Sequence, residues 1–392
     1  MTFSTLALIT SAALLGPLLA TPGRTRAPML IGELIAGIAL GRTGLRDLHP
    51  ADPTFAFLAD VGFALVMFVA GSHVPVRDGR LRRSLPGGAV RAVAVGLVAT
   101  VLGWLVAHAF GTGHAAVYAV VIASSSAALI LPLLDSLALS GPDVLALLPQ
   151  VAIADTACIV ALPLVIQPSR AVRAAIGAVE VGAVAAVLCA LLYLAERSGA
   201  RRRLHHLSQK RNFALELRIS LLALFALAAL AQQAQVSVML AGFSLGLAVA
   251  AVGAPRRLAH QLFALTEGFF GPLFFVWIGA TLDLRAFGSH PKYLLLGLAL
   301  GASAVLAHVL MRLAGQPATY GGIASAQLGV PIAAVTLASQ RHLLPPGEPA
   351  ALLLGALITI AAATVAGAVA ARRVPGPAPA ATTPSHPAVP TP

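Results

Sequence analysis

Asp155 is the residue whose type and place most constrain the chemistry of this chain. It sits near the centre of 144–167, VLALLPQVAIADTACIVALPLVIQ, a stretch with no other charge. A helix needs about 20 apolar residues to cross the hydrocarbon core of a bilayer. A carboxylate at mid-depth costs about 2.5–3.5 kcal/mol on insertion scales, so such residues face a cavity and handle ions or protons. Just upstream, Ser124, Ser125 and Ser126 precede Pro132. Proline has no N–H to give, so the carbonyl of Ala128 loses its helical partner. In the far half of the chain Pro331 frees the carbonyl of Gln327 in the same way, and Gly329 loosens that turn. Two ordinary proline kinks would give this pattern. So would the paired interrupted helices that build the mid-membrane site of a secondary transporter. Freed carbonyls, hydroxyls and one carboxylate make a set of hard oxygen ligands that suits an alkali cation. A proton and a cation can compete for that carboxylate.

The elements that must position these groups are membrane helices. Apolar residues make up 58% of the chain and charged ones 10%, where a soluble domain carries about 25% charged residues. Thirteen apolar segments can be drawn, at roughly 3–20, 28–45, 54–71, 85–110, 115–138, 144–167, 170–195, 213–232, 235–252, 259–282, 292–314, 318–340 and 348–371. The first lacks the basic amino end of a signal peptide and is expected to be a membrane helix. A net charge of +12 would suggest nucleic acid in a soluble protein. Here the arginines lie in short loops, so they set orientation and no nucleic-acid partner is expected. With the amino terminus outside, the inside loops hold seventeen Lys and Arg and the outside loops seven. That bias predicts an inner-membrane protein with its amino end out and its carboxyl end in the cytoplasm. Residues 372–392, largely Pro, Ala and Thr, cannot bury a core and predict a disordered cytoplasmic tail. No nucleotide-binding domain follows, so coupling to ATP hydrolysis within this chain is not expected.

The remaining ionisable residues in or near the spans divide by neighbourhood. Asp60 and His308 are accessory candidates, Asp60 as a second proton site or a structural hydrogen-bonding group. His308 reads more readily as a satisfied imidazole than as a proton relay. Glu33 sits in the turn-rich GELIAG stretch and is expected to hold packing together; Glu216 and Arg218 read as interfacial, and Glu180 has no evident partner. Cys158 and Cys189 lie inside spans, far from any metal-type spacing, and read as packing residues. No Ser-His-Asp order, zinc spacing or phosphate loop points to an enzyme, and no cofactor or resident metal is implied.

Taken in order, these motifs resemble the monovalent cation:proton antiporter superfamily, on its bacterial sodium/proton and potassium-efflux exchanger branch. The resemblance runs from about residue 1 to 371. It is carried by GELIAGIALGRTGL (32–45), FLADVGFALVMFVAG (57–71), ASSSAALILPLL (123–134), QVAIADTACIVALPL (150–164), PLFFVWIGATLDL (272–284) and AQLGVPIAAVTLA (326–338). It implies an all-α fold of about thirteen transmembrane helices, with inverted repeats, two broken and crossing helices, and a homodimer in the bilayer. Scaffold helices would fall at about 1–82 and 212–285, core helices at about 85–167 and 290–371, and a linker helix at about 170–195. Asp155 would alternately hold cation and proton, with Ser124, Ser125 and Ser126 as ligands beside it.

Departures from the family pattern bear on the ion and the stoichiometry. Ala154 stands before the carboxylate where relatives have Asp, Asn or Gln, and a single carboxylate favours electroneutral exchange. Ser303 stands where many relatives have Lys or Arg, with His308 more than a turn away on a different face. Leu328-Gly329-Val330 stands where relatives have an Arg-Gly-Glu-like triplet, and Ser72-His73 follows Ala70-Gly71 where many relatives have Leu-Glu. The expectation is exchange of Na⁺ or K⁺ for protons. A divergent proton-coupled carrier of another small solute, and a non-transporting membrane scaffold or sensor, are the alternatives.

Overall fold

The computed structural model describes residues 1–20, 29–72, 79–166, 171–198, 214–234, 236–253, 256–285, 291–339, 343–345 and 347–373. The expected tail beyond Arg373 lies outside the described residues. In chain order the helices are α1 (Phe3–Ala13), α2 (Leu15–Ala20), α3 (Met29–Leu40), α4 (Pro53–Ser72), α5 (Gly79–Phe110), α6 (Ala115–Ala123), α7 (Ala127–Ser136), α8 (Pro142–Ile166) and α9 (Ala171–Arg197). Then come α10 (Leu215–Gln233), α11 (Val238–Val252), α12 (Arg256–Leu265), α13 (Gly271–Thr281), α14 (Pro291–Val309), α15 (Ala318–Ala324), α16 (Gly329–Ser339) and α17 (Glu348–Arg373). No strand occurs among the described residues.

Ten spans among the described residues are long and apolar enough to cross a bilayer, counting α6 with α7 and α15 with α16 as one span each. The segments expected at 3–20, 28–45 and 235–252 form shorter helices. The first is split at Leu14, Met29–Leu40 gives way to the turn after Gly41, and Val238–Val252 starts only at its Ser237 cap.

Small residues decide which helices meet. In lipid there is no hydrophobic drive between helices, so close backbone approach supplies the contact energy. α3 and α13 cross where Gly37 faces Gly279. A Cβ on Gly37 would fall on the Val276 carbonyl oxygen, and one on Gly279 on that of Leu34. α4 and α11 meet in the same manner at Gly246. Elsewhere α5 packs on α6 and α8, and α14 and α15 pack on α17. Replacing Gly279 by Val is therefore expected to part the α3–α13 seam, at more than the roughly 1–3 kcal/mol of ordinary overpacking, because backbone must move. Size-exclusion profiles of detergent-solubilised protein check this. The folded peak should collapse for Gly279→Val and persist for Gly96→Ala, where an added Cβ on α5 meets nothing within 4 Å.

Three local devices set up the centre of the bundle. Asp52 Oδ1 accepts the N–H groups of Thr54 (2.9 Å) and Phe55 (3.0 Å) and so starts α4. The turn 137–141, with Ala138 and Gly141 at positive φ, reverses the chain between α7 and α8. Pro142 then opens α8, a position where its missing N–H costs nothing.

Candidate functional site: two interrupted helices around Asp155

Each interruption lies a few residues before its proline. α6 ends at Ala123, Ser124 is extended (φ −71°, ψ 151°), and so is Ser126 (φ −126°, ψ 104°). α7 resumes at Ala127 and carries Ala128 and Pro132 within it. In the second half α15 ends at Ala324, and α16 resumes at Gly329 with Pro331 in its first turn. A proline there removes an N–H that has no helical partner anyway. The serines, Ser325 and Gln327 thus form the gaps, while the prolines sit in the half-helices that follow.

The two gaps meet and cap each other. Ser125 Oγ donates to the Ala324 carbonyl at 2.5 Å, closing the end of α15. Gln327 Nε2 donates to the Ile122 carbonyl at 3.2 Å, closing the end of α6. The Gln327 backbone N–H goes to Thr359 Oγ1 (3.2 Å), whose own proton goes to Ala356 O (2.7 Å). Within its own helix Ser124 Oγ donates to Val121 O at 2.8 Å. Ser124, Ser125, Ser126, Ser325, Gln327, Thr359, His308 and Asp155 are all buried. A polar core of this size in lipid survives only if its backbone groups are satisfied, and the cross-capping does that for the Ile122 and Ala324 carbonyls.

Asp155, on α8, is 2% exposed. Its only hydrogen bond to a described residue comes from the Ala127 N–H to Oδ2, at 3.1 Å. Ala127 is the first residue of α7, so the carboxylate sits at the positive end of a half-helix. Ser126, just before it, has a hydroxyl that caps no N–H. Of the three serines, Ser124 and Ser125 spend their protons on carbonyls, while the Ser126 hydroxyl makes no hydrogen bond to a described residue.

His308 reaches this crossing from α14. Its Nδ1 lies 2.9 Å from Ala304 O and, facing a carbonyl, must donate; its Nε2 lies 3.3 Å from Ser125 Oγ. Ser125 has one proton. Given to Ala324 O, it leaves the serine oxygen free to accept from a protonated Nε2; given to Nε2, it uncaps α15. The imidazole is thus satisfied and also tied to the crossing, from the same helix as Ser303. Ser125→Ala is expected to lower the thermal midpoint by the equivalent of about 1–3 kcal/mol, the cost of a buried carbonyl left unpaired. Ser136→Ala, which removes a hydroxyl bonded only within its own helix, to Leu133 O, on an exposed residue, should leave the midpoint unchanged.

Asp60 is not at the crossing. It is half-buried on α4 and lines a separate cavity. Glu33 is buried in α3, while Asp135, Glu180 and Glu267 are exposed. Two polar clusters escaped the sequence reading. Glu348 Oε1, fully buried at the start of α17, accepts from Tyr118 Oη at 2.5 Å and pairs with His114 Nδ1 at 2.8 Å. A little over one turn before Asp155, Gln150 Oε1 accepts from Gln316 Nε2 at 2.9 Å. The signal for the first was Glu348 at a helix start just after Pro345 and Pro346; nothing local signals the second.

With this geometry in place, the family of transmembrane sodium/hydrogen exchangers matches residues 9–372. The chain belongs to that family. This exchanger-family chain is 24% identical over 383 residues to "Putative Na(+)/H(+) antiporter YjbQ" of Bacillus subtilis (strain 168), covering 91% of itself and 61% of that protein. It is 28% identical over 288 residues to the glutathione-regulated potassium-efflux system protein KefC of Klebsiella pneumoniae (strain 342), covering 67% of itself and 42% of KefC. It therefore spans less than two thirds of the length of either relative. Its fold is that of the sodium proton antiporter MjNhaP1 from Methanocaldococcus jannaschii, with a TM-score of 0.65 and 15% identity over 94% of this chain and 96% of that one.

Proposed function

We propose that the protein is a secondary active transporter, not an enzyme, that exchanges a monovalent cation, Na⁺ or K⁺, for protons by alternating access. One observation carries this reading: Asp155 is a buried carboxylate at mid-helix whose only hydrogen-bond partner among the described residues is the N–H that opens a half-helix. Such a group has lone pairs left for either a cation or a proton, one at a time. Ser126 is the serine whose hydroxyl is free to join it; Ser124 and Ser125 contribute by holding the carbonyls around the site. Membership in the exchanger family supports the same reaction, as do relatives named for sodium/proton exchange and potassium efflux.

The finer assignment follows the resemblance. The two interrupted helices belong to inverted repeats within thirteen helices. The helices in about 85–167 and 290–371 form a core that moves against a scaffold at about 1–82 and 212–285, joined by a linker helix at about 170–195. The scaffold pairs two copies into a homodimer. The protein sits in the inner membrane with its amino terminus outside and its carboxyl terminus in the cytoplasm.

The test is collapse of an imposed pH gradient in proteoliposomes, with Na⁺, K⁺ and Li⁺ titrated in turn. The reading expects collapse with at least one of them and names the substrate by which. Folded protein that collapses the gradient with none of the three would overturn it.

A further inference from the structure

The crossing accounts for Asp155 but leaves a second carboxylate within the helices without a task. Asp60 lies two turns into α4, half-buried, with no hydrogen bond or ion pair to a described residue. A carboxylate at that depth needs a partner or water. Its side chain borders a cavity of about 230 Å³, whose wall also includes Ser237 and Thr336. At about 30 Å³ per molecule that space holds several waters.

This cavity does not stand alone. A larger one, of about 560 Å³, is bordered by Arg42, Asp283 and Gly347, at the end of the bundle where those turns lie. Trp277, Ile332 and Thr336 line both, so the two adjoin as the outer and inner chambers of a vestibule, with Asp60 on the inner one. Trp277 is fixed at the shared wall by its Nε1–H bond to Pro50 O, at 3.1 Å. Phe63, a turn past Asp60 on α4, stacks on Phe274 with ring centroids 4.8 Å apart, and both border the inner cavity. Ile332, Ala333, Thr336 and Leu337 of α16 also line the inner cavity, and the first residue of that helix, Gly329, follows directly on the second gap. From Thr336 back to Gly329 is about 10 Å at 1.5 Å per residue.

We propose that Asp60 is a second cation site, where a partly hydrated monovalent cation rests in the vestibule before it reaches Asp155. The inference rests on the exchange reading above for its place in transport. The ligand class follows from the chemistry: one carboxylate, two hydroxyls and water are hard oxygen donors. A single negative charge in a water-filled cleft suits a singly charged ion, whereas calcium takes six to eight oxygens, often from several carboxylates.

Two measurements on the full chain test this. In proteoliposomes of sorted orientation, Asp60→Asn is expected to raise the half-saturating cation concentration on the vestibule face roughly tenfold, at the low end for a charge focused in a cleft. The value on the opposite face and the maximal rate should stay at wild-type levels, and Asp60→Glu should restore most of the affinity. On a solid-supported membrane, a Na⁺ or K⁺ concentration jump applied to Asp155→Asn protein should still give a charge displacement, lost in the Asp60→Asn, Asp155→Asn double variant. Unchanged half-saturation in Asp60→Asn, with a displacement that survives in the double variant, would overturn the proposal. A wild type that moves no cation, yet shows a displacement lost only with Asp60, would sink the exchange reading and leave the Asp60 site standing.

Discussion

Asp155→Asn is expected to reduce cation-dependent proton flux to that of protein-free vesicles while leaving the yield of folded protein unchanged. The side chain keeps its shape, and the amide oxygen still accepts the Ala127 N–H that now reaches Oδ2 at 3.1 Å. What disappears is the charge. An amide neither takes up a proton near neutral pH nor offers an alkali cation a counter-charge, so both substrates lose their shared site. Removing a carboxylate from mid-membrane also removes part of an insertion penalty of about 2.5–3.5 kcal/mol, so the variant should melt no lower than the wild type. Gradient collapse and a thermal melt, run on the same preparation, check both halves. A variant that folds and retains cation-dependent flux would remove Asp155 from the mechanism.

The second large effect is expected from Ala127→Pro, which removes that N–H and puts the ring Cδ in its place, so that the Asp155 carboxylate must also draw back from the end of α7. Ala127 is the first helical residue of α7, where proline fits, and Ser126 before it already has the extended backbone (φ −126°, ψ 104°) that a following proline demands. The helix therefore survives, but Asp155 loses the one hydrogen-bond donor it has among the described residues. A hydrogen bond to a charged group contributes about 1.5–3 kcal/mol. The ionised carboxylate that holds the cation loses that support, and the protonated form competes better. The half-saturating cation concentration at fixed pH should rise by about tenfold or more, and raising the pH should recover part of the loss. Ala128→Pro, one residue further into α7, serves as the comparison for proline itself and leaves the Ala127 N–H in place. Equal half-saturation in wild type and Ala127→Pro would mean that this N–H plays no part in ion binding.

How much of this was legible in the sequence depended on whether the signal was local. Asp155 stood out because one charge in two dozen apolar residues is a local anomaly. The serine run and the glycine–proline punctuation marked both interruptions, although the gaps fall at 124–126 and 325–328, ahead of Pro132 and Pro331. Proline announces a break but settles into the half-helix that follows: Pro331 lies in the first turn of α16, where its missing N–H is tolerated, while Pro132 is the sixth residue of α7 and leaves the Ala128 carbonyl without its helical donor. Gln327 was expected to matter through its freed carbonyl; its amide side chain is what reaches the other gap, 205 residues away in sequence. His308 read as a satisfied imidazole, and its bond to Ala304 fits that, but its contact with Ser125 spans 183 residues and has no local trace. The Glu348–Tyr118–His114 cluster was missed for the same reason. Neighbours along a helix constrain type and depth; contacts between distant helices decide role.

The reciprocal capping of the two gaps has a consequence for how the protein is made. Ser125 finds its acceptor 199 residues later, and the Ile122 carbonyl waits 205 residues for its donor. While the first half of the chain is already in the membrane, the ends of α6 and α7 have no partner from the second half. Residues 115–136 must cross the early part of synthesis either as one continuous helix or with water held at the gap. The interruption that makes the site is then a late event of biogenesis, set when α15 and α16 arrive. A ribosome-stalled chain ending before residue 318 should therefore carry Asp155 in the bilayer without the pocket that Asp155 serves.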